Sequence, residues 1–439
     1  MDLSKAFDSI DRQMLWEMLR KLGAPHNFIQ LIKGFHTDMH SEVLVGGARS
    51  TPFSVETGVK QGCVLASTLF SLYITAITIL AHRELQPNDG IVIEHRLDGS
   101  LFNLRRLQAH TKTSLQPIHE LQYADDSAIT ASSPEAMQRA LNAYSNAYTA
   151  MGLTINPNKT EVLQQHSGGG HHQEAIFNID GEPLKNSDSF KYLGSKITKD
   201  CNLDCEIESR ISSASAAFGR LRKRVFNNNN LKVKTKAAVY HAVCLSTLLY
   251  AAETWTPYRR HIKKLEAFYT TCLKRILGVT WKDRVTYDTI FERTASTTIE
   301  THITRKHLRW IGHVIRMPED RLPRQTLYGQ IYGGSRTQGG QRKRYKDHTK
   351  LSLKKCGIDP GSLERKATNR VEWKRACKIG LNKIEDDLSN KRDERRIRRH
   401  ERRPVPDPAA TLQCQTCNRT FSARIGLISH MRWHQRNNQ

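Results

Sequence analysis

The spacing of hydrophobic and polar residues divides the chain into an N-terminal half of mixed structure and a helical C-terminal half. Apolar positions alternate around Gly46-Gly47, which is typical of a β-hairpin, and strand-like runs recur up to about residue 200. Helical spacing is found in residues 10–22, 28–35, 64–85 and 134–151, and then around 207–218, 239–249 and 265–276. We therefore predict an α+β fold, an antiparallel sheet backed by helices, followed by an all-α region.

Three carboxylates interrupt this pattern at positions that suggest a shared site. Asp125 and Asp126 are adjacent within a strand-like run, so they could face the same way only if a tight turn intervened. Adjacent carboxylates repel each other, and a site built from them usually recruits a divalent cation. The pair alone would also fit a solvated surface turn. A third carboxylate in the right setting, as at Asp2, favours the metal site.

Five blocks, in order, resemble the motifs of the reverse transcriptases of non-LTR (LINE-like) retrotransposons. They are residues 2–7 (motif A), 61–70 (motif B), 123–126 (motif C), 152–159 (motif D) and 190–194 (motif E). The ordered set is more specific than any one block, and the resemblance continues more diffusely to the C-terminus. It implies a right-hand polymerase, with a palm in residues 1–200, a helical thumb in 201–290 and a basic helical region in 291–403.

The resemblance also assigns roles to individual residues. Asp2 and Asp125 would hold two Mg²⁺ ions, with Asp126 as the third acidic residue, while Asp8 would be structural. The implied reaction is RNA-templated transfer of dNTPs to a primer 3′-hydroxyl. The remaining roles implied are a steric gate against ribonucleotides at Phe7, nucleotide and template contacts at Gln61 and Gly62, a triphosphate contact or proton donor at Lys159, and a primer grip at 190–194.

Composition narrows the range of partners. The chain has 68 Lys and Arg against 43 Asp and Glu, a formal net charge of +25, which suits a polyanionic partner, with an acidic membrane surface as the competing one. The resemblance implies that the partners are an RNA template and a DNA primer or target. Ser and Thr interrupt the most apolar run, residues 64–81, so we expect no spanning helix and no membrane partner. Nine cysteines without framework spacing indicate a reducing, intracellular location, nuclear or cytoplasmic.

Several further segments carry expectations about surface and core. Residues 87–116 resemble a family-variable insertion with strand character, and 333–344 a mobile basic linker around Arg336. Residues 391–403 hold eight Lys and Arg and three Asp and Glu, followed by prolines from 404 to 408, and favour a nucleic-acid contact over a merely solvated helix. The remaining expectations are core packing for Trp255, Trp281 and Trp310, and solvation for His171 and His172.

The C-terminal residues 404–439 have the ligand spacing of a two-Cys, two-His zinc finger. The ligands would be Cys414, Cys417, His430 and His434, with Phe421 and Leu427 as the small apolar core. So short a segment needs the Zn²⁺ to fold, so the metal would be structural. The base-reading helix positions −1, 3 and 6 would be Ala423, Gly426 and Ser429, which predicts nucleic-acid binding with little sequence choice.

The position of Met1, directly before Asp2, bears on activity. We expect the family's upstream finger motifs and endonuclease to be missing, so that the chain is N-terminally truncated and its polymerase could be inactive. The principal alternative is a non-catalytic nucleic-acid-binding remnant that uses the basic tail and the finger; a second is a domesticated enzyme. A zinc-finger transcription factor is disfavoured, because one finger reads ~3 base pairs.

Overall fold

The computed structural model describes residues 1–165, 174–334, 339, 342–401, 412–421 and 423–437. Its buried apolar side chains form three clusters. The first cluster gathers residues between 3 and 184, the second residues between 207 and 303, and the third Leu101 with residues between 308 and 384. The mixture of short strands and many helices confirms the predicted α+β class. The calls on His171, His172, Arg336 and residues 404–408 lie outside the described residues.

The first 200 residues alternate short strands with four helices. The helices are α1 (Arg12–Lys21), α2 (His26–Gly34), α3 (Val64–His82) and α4 (Pro134–Ala150). The strands are β1 (His40–Ser41), β2 (Leu44–Val45), β3 (Ala48–Arg49), β4 (Phe53–Ser54), β5 (Ile91–His95), β6 (Ser114–Ile118), β7 (Glu120–Tyr123), β8 (Asp126–Ile129), β9 (Glu161–Val162), β10 (Asn178–Ile179), β11 (Glu182–Pro183), β12 (Lys185–Asn186), β13 (Ser189–Tyr192) and β14 (Ser195–Thr198). Each predicted helix of this region is present, and β2 and β3 form the hairpin around Gly46-Gly47.

The strands do not join into the single antiparallel sheet that was predicted. Most of them pair two by two, and β9 pairs with β12 in parallel. The strands have two to five residues each, and among β1–β14 all but β5 pair with a single neighbour. Helices α3 and α4 contact each other through the first core, and β8 and β10 pack against α4.

Helix α3 corrects the expectation that no segment is long and apolar enough to span a membrane. Its 19 residues have a mean hydropathy of 2.0, so among the described residues it is the one helix long and apolar enough to cross a membrane. The hydroxyl groups of Ser71 and Thr75 donate to backbone carbonyl oxygens one turn earlier, at 2.9 and 2.8 Å, so they do not interrupt the helix. Phe70, Tyr73 and Ile77 on its other face are fully buried in the first core.

The predicted insertion docks on a distant part of the chain. Strand β5 pairs with β6 on one side and with β15 (Gly329–Ile331) on the other. The backbone nitrogen of Leu101 donates to Glu364 Oε1 at 2.6 Å, and Arg106 Nη2 donates to the Tyr328 carbonyl oxygen at 2.7 Å. The insertion is therefore part of the third core and not a free surface excursion.

The second core belongs to a helical region. It contains α5 (Asp204–Leu221), α6 (Val233–Val239), α7 (Ser246–Leu248), α8 (Arg259–Leu277) and α9 (Tyr287–Arg293), with π-helical turns at Arg222–Phe226 and Tyr240–Leu245. Trp255 is buried here, as expected. Trp281 is 83% exposed, so the expectation of core packing is wrong for that residue, which lies on a short connecting 3₁₀ turn.

The third core and the C-terminal module complete the chain. The helices are α10 (Ile299–Ile315), α11 (Leu322–Tyr328), α12 (Tyr345–Lys355), α13 (Leu363–Thr368) and α14 (Arg370–Glu401), and then β16 (Leu412–Gln413), β17 (Thr420–Phe421) and α15 (Arg424–Asn437) follow. Gly312 lets α10 and α14 approach closely, because a Cβ there would lie 2.1 Å from Trp373 Nε1. Residues 391–401 are helical, as α14 extends through them.

The carboxyl group of Glu266 should make the stability of the second core depend on pH. Burial raises the pKa of Glu266 from 4.5 to about 7, and its Oε2 accepts a hydrogen bond from the Ile299 backbone nitrogen at 2.9 Å. Since the folded pKa lies above the unfolded value, the fold favours the neutral acid, and stability is lost as the pH rises from about 4.5 to 7. Glu266→Gln should remove this loss, of up to about 3 kcal/mol, in urea titrations at pH 5 and pH 8. Glu208→Gln, an exposed carboxylate paired with Lys264, is the control and should leave the pH dependence unchanged.

Candidate active site and metal centres

The adjacent aspartates lie at the tip of the β7–β8 hairpin. Tyr123 pairs with Asp126, so Ala124 and Asp125 form the two-residue turn. Ala124 has a φ of +52°, a conformation that costs a residue with a Cβ about 1 kcal/mol or more, and Gln122 Nε2 donates to its carbonyl oxygen at 2.6 Å. A tight turn therefore lies at the aspartate pair, with Asp125 in the turn and Asp126 at the start of β8.

Asp2 is held beside this hairpin by backbone hydrogen bonds on two sides. The Asn156 nitrogen donates to the Asp2 carbonyl oxygen at 2.9 Å, and Leu3 bridges Ile155 in antiparallel fashion. On the other side, the Met1 nitrogen donates to the Ser127 carbonyl oxygen at 2.6 Å. The first residues of the chain thus run between the β7–β8 hairpin and the segment that follows α4.

The three carboxylates influence one another electrostatically. Burial raises the pKa of Asp126, and the negative charges of Asp125 and Asp2 raise it further. Asp2 Oδ2 is buried and accepts no hydrogen bond, and Lys159 Nζ lies 3.6 Å away, close enough for an ion pair but too far for a hydrogen bond. An oxygen that lacks a donor in a field of like charge is what a divalent cation would satisfy, so these residues fit Mg²⁺.

The aspartates are not gathered tightly in the structure. Among the described residues, the one group of three or more potential ligands close enough to hold an ion is the Cys/His group at the C-terminus. The predicted roles of Asp2 and Asp125 in holding two Mg²⁺ ions therefore remain predictions, and an Asp2–Asp125 carboxylate separation above about 8 Å in a metal-bound structure would contradict them.

The segment predicted to contact nucleotide and template lies next to Phe7 and Asp8. The Val59 nitrogen donates to the Phe7 carbonyl oxygen at 2.9 Å, and Gln61 Nε2 donates to both Asp8 carboxylate oxygens at 3.3 and 3.4 Å. The Phe7 ring stacks on Phe70 with centroids 4.1 Å apart, so its orientation is fixed by the core. Gly62 has open space where a Cβ would be. Asp8 thus positions Gln61, which accords with its predicted structural role.

Gly58 sets the spacing between these two segments. Its φ is +79°, and a Cβ there would lie 2.6 Å from the Asp8 Cα. We expect Gly58→Ala to lower the free energy of unfolding by about 1–3 kcal/mol more than Gly46→Ala. Gly46 is the matched control, since its φ is also positive but no atom lies within 4 Å of the added Cβ. Equal losses in urea denaturation would show that Gly58 serves only its own turn.

The predicted primer-grip hairpin is fixed by the helical region. Leu193 and Gly194, both at positive φ, form the turn between β13 and β14. Tyr250 Oη donates to the Leu193 carbonyl oxygen at 2.9 Å, and Arg210 Nη2 donates to the carbonyl oxygen of Gly194. Tyr192 Oη donates to the Leu121 carbonyl oxygen at 2.8 Å, which connects this hairpin to the aspartate hairpin.

The C-terminal module brings all four predicted zinc ligands together. Their ligand atoms lie within 4.8 Å of one another, with Cys417 Sγ 3.0 Å from His430 Nε2 and 3.2 Å from His434 Nε2. Tetrahedral zinc would separate such atoms by about 3.3–3.8 Å. Two short strands and the helix α15 frame the group, and the Phe421 ring lies 4.9 Å from the His430 ring. The group fits Zn²⁺.

Sequence reasoning missed residues that position the site from other elements. Arg12 donates to the carbonyl oxygens of Gly58, His36 and Thr57 at 2.9–3.1 Å, and so anchors the loop that carries Gln61. Arg210 and Tyr250 were not singled out either, because helical periodicity alone does not identify hydrogen-bond partners that lie 16 and 57 positions away in the sequence. A single arginine in an amphipathic helix carries no sequence pattern that identifies the backbone groups it binds.

Comparisons with known proteins show what the chain is similar to. Residues 1–197 match the family model described as reverse transcriptase (RNA-dependent DNA polymerase). The RNA-directed DNA polymerase from mobile element jockey of Drosophila funebris is 24% identical over 294 residues, or 64% of this chain and 28% of that protein. The Pol polyprotein from the R2 retrotransposable element of Popillia japonica is 24% identical over 44% of this chain and 29% of its own length. A transposon-derived protein of Caenorhabditis elegans is 25% identical over 58% of this chain and 92% of its length.

Proposed function

We propose that the chain acts as an RNA-directed DNA polymerase, because residues 1–197 match the reverse transcriptase family model and the chain is similar to proteins of non-LTR retrotransposons. It spans about 28% of the jockey polymerase and 29% of the R2 polyprotein that it matches. The observation that supports the proposal is the position of Asp2 beside the Asp125–Asp126 hairpin, where the charges of Asp125 and Asp2 raise the pKa of Asp126. The substrates would be dNTPs, an RNA template and a DNA primer.

In this proposal Asp2 and Asp125 hold two Mg²⁺ ions and Asp126 adds a third negative charge. The ions supply charge neutralisation on the attacking 3′-oxygen and on the leaving pyrophosphate. The side chain of Lys159 is 69% exposed, and its Nζ lies 3.6 Å from Asp2 Oδ2. It would exchange this carboxylate for an oxygen of the incoming triphosphate. Residues 1–200 serve as the palm and 201–290 as the thumb.

Discrimination between nucleotides falls to residues that touch no metal. The Phe7 ring, immobilised on Phe70, would crowd a ribose 2′-hydroxyl and so favour dNTPs. Gln61, held by Asp8, and the open space above Gly62 would accept the nucleotide and template. The β13–β14 turn, clamped by Arg210 and Tyr250, would support the primer strand.

The direct test is primer extension with the full chain. An RNA template annealed to a DNA primer should be extended with dNTPs in Mg²⁺ and not in EDTA, and rNTPs should be used far less. Template–primer binding without incorporation would favour the second candidate, a nucleic-acid-binding retroelement remnant. The observation that favours that candidate is the chain's net charge of +25 together with the C-terminal Cys/His module.

We further propose that the finger holds nucleic acid with little sequence choice. Helix α15 begins at Arg424, one residue after Ala423 and two before Gly426, so the base-reading positions would be Ala423, Gly426 and Ser429. None of these can make bidentate contacts to a base. Selection from a random DNA pool with the zinc-loaded full chain should return no consensus. A sharp motif that is lost on His434→Ala would contradict this.

A further inference from the structure

A large groove lies between α10 and α14, on the C-terminal side of the proposed thumb. Its volume is about 890 Å³, and seven of its fourteen lining residues are Lys or Arg. Glu253 is the one carboxylate among the lining residues, and it lies 3.5 Å from Lys306 in an ion pair. The groove therefore carries a strong excess of positive charge.

The cations form two rows, one on each helix. Arg305 and Arg309 are four residues apart on α10, and Arg370, Lys374 and Lys378 repeat the same spacing on α14. Residues four apart share a helix face, so both rows point into the groove. Two facing rows of exposed cations repel each other unless an anion lies between them.

These cations have no anionic partner in the described part of the chain. Arg305, Arg309, Arg370, Lys374 and Lys378 are all exposed, and none of them forms an ion pair there. Exposed arginines elsewhere do form such pairs, as Arg259 does with Glu300 at 2.8 Å. Charge of one sign that the fold leaves unmatched points to a polyanionic ligand.

Aromatic side chains also line the groove. Trp310 is half-buried, and its ring centroid lies 5.7 Å from that of His313, which is exposed; both line the groove. Below them the buried Trp373 donates from Nε1 to the Leu308 carbonyl oxygen at 3.1 Å, and Gly312 leaves room for its ring. A fixed aromatic ring among cations can stack a nucleic-acid base, a contact worth about 1–3 kcal/mol per base.

We propose that this groove binds a single strand of nucleic acid, with phosphates along the two cationic rows and a base stacked on Trp310. A duplex fits less well, because its bases are stacked on each other and cannot reach a ring inside a groove. The site is separate from the aspartates and from the finger. It therefore adds a strand-binding surface to the chain whether or not the polymerase is active.

The first experiment maps the contact by photo-crosslinking. Twelve-nucleotide RNA and DNA strands with 5-iodouracil at successive positions are irradiated with the full chain, and tryptic peptides are analysed by mass spectrometry. Cross-links should fall on the peptide 310–316, be lost in Trp310→Ala and be retained in Trp310→Phe, which keeps a ring. The RNA and DNA arms show which strand is preferred. Absence of cross-links from peptide 310–316, or equal competition by a duplex of the same sequence, would overturn the proposal.

The second experiment uses salt dependence. Removing both Arg309 and Lys374 by alanine substitution should reduce the slope of log affinity against log salt by about 1.4, since each phosphate contact to a single strand contributes ~0.7. The matched control replaces Arg321 and Lys354, which are exposed but outside the groove, and should leave the slope unchanged. Equal changes in the two double variants would mean that only overall charge matters and would refute the site. Neither variant touches Asp2, Asp125 or Asp126, so this result is independent of the polymerase test.

Discussion

Replacing Asp125 by alanine in the full chain should abolish dNTP incorporation while leaving template–primer binding nearly unchanged. The side chain lies in the turn of the β7–β8 hairpin and adds its charge to the field around Asp126 and Asp2. Losing one of the carboxylates that bind the ions should cost about 4 kcal/mol or more of transition-state stabilisation, a roughly 10³-fold lower rate. Single-turnover extension of a labelled primer on an RNA template, beside a binding isotherm, separates the two effects.

The matched control for this experiment is Glu182→Ala. Glu182 is an exposed carboxylate on β11, in the same part of the chain, and forms no ion pair with a described residue. Its removal changes the net charge by the same amount and should leave the extension rate within about twofold of the parent. If Asp125→Ala and Glu182→Ala lower the rate equally, the aspartate hairpin has no special part in the reaction.

Removing zinc should unfold the C-terminal module. Its two strands have two residues each, and the ligand group closes on Cys414, Cys417, His430 and His434. Metal binding supplies about 10 kcal/mol or more to such modules at neutral pH, which is more than their burial can provide. After treatment with a strong chelator, amides in residues 424–437 should exchange with solvent deuterium at rates near those of an unfolded chain, and should regain protection when Zn²⁺ is restored.

Ligand variants make the same prediction specific. Elemental analysis should find one equivalent of zinc in the parent chain and none in His434→Ala. His26→Ala is the control, because His26 is an exposed histidine on α2, far from the module in sequence, and its loss should leave the zinc content unchanged. Full zinc retention in His434→Ala would show that the ion, if bound, has other ligands.

The candidate site could be predicted where its residues are contiguous or fixed in spacing. The Asp125–Asp126 turn and the four Cys and His ligands are short-range patterns whose local geometry leaves few alternatives. The contacts of Asp2 with residues near 155, and of Gly194 with Arg210, depend on how separate elements pack. Periodicity says which face of a helix is buried but does not say against what, so Arg12, Arg210 and Tyr250 could not be found in this way.

The fold, like the candidate site, could be predicted where the sequence carries a long or regularly spaced pattern. Helices α1, α3 and α4 have long periodic patterns and end near the residues expected, with side-chain caps at Asp11 and Ser133 for α1 and α4. The division of the sheet into small pairs could not be foreseen, since strands of two residues carry no alternation. Trp281 shows the limit for single residues, because an isolated tryptophan has no period from which burial could be deduced, whereas Trp310 is half-buried against the third core.

The sheet formed by β5, β6 and β15 has a consequence for how the protein is made. The strand at 91–95 can pair on its second side only when residues 329–331 exist, and the Gln330–Glu94 side-chain hydrogen bond spans 236 positions. At a synthesis rate of about 5–20 residues per second, that edge waits roughly 10–50 s on the ribosome with its backbone groups unpaired. A chain whose synthesis ends before residue 329 would leave this strand edge permanently unpaired. Such products should be the ones that aggregate or require chaperones.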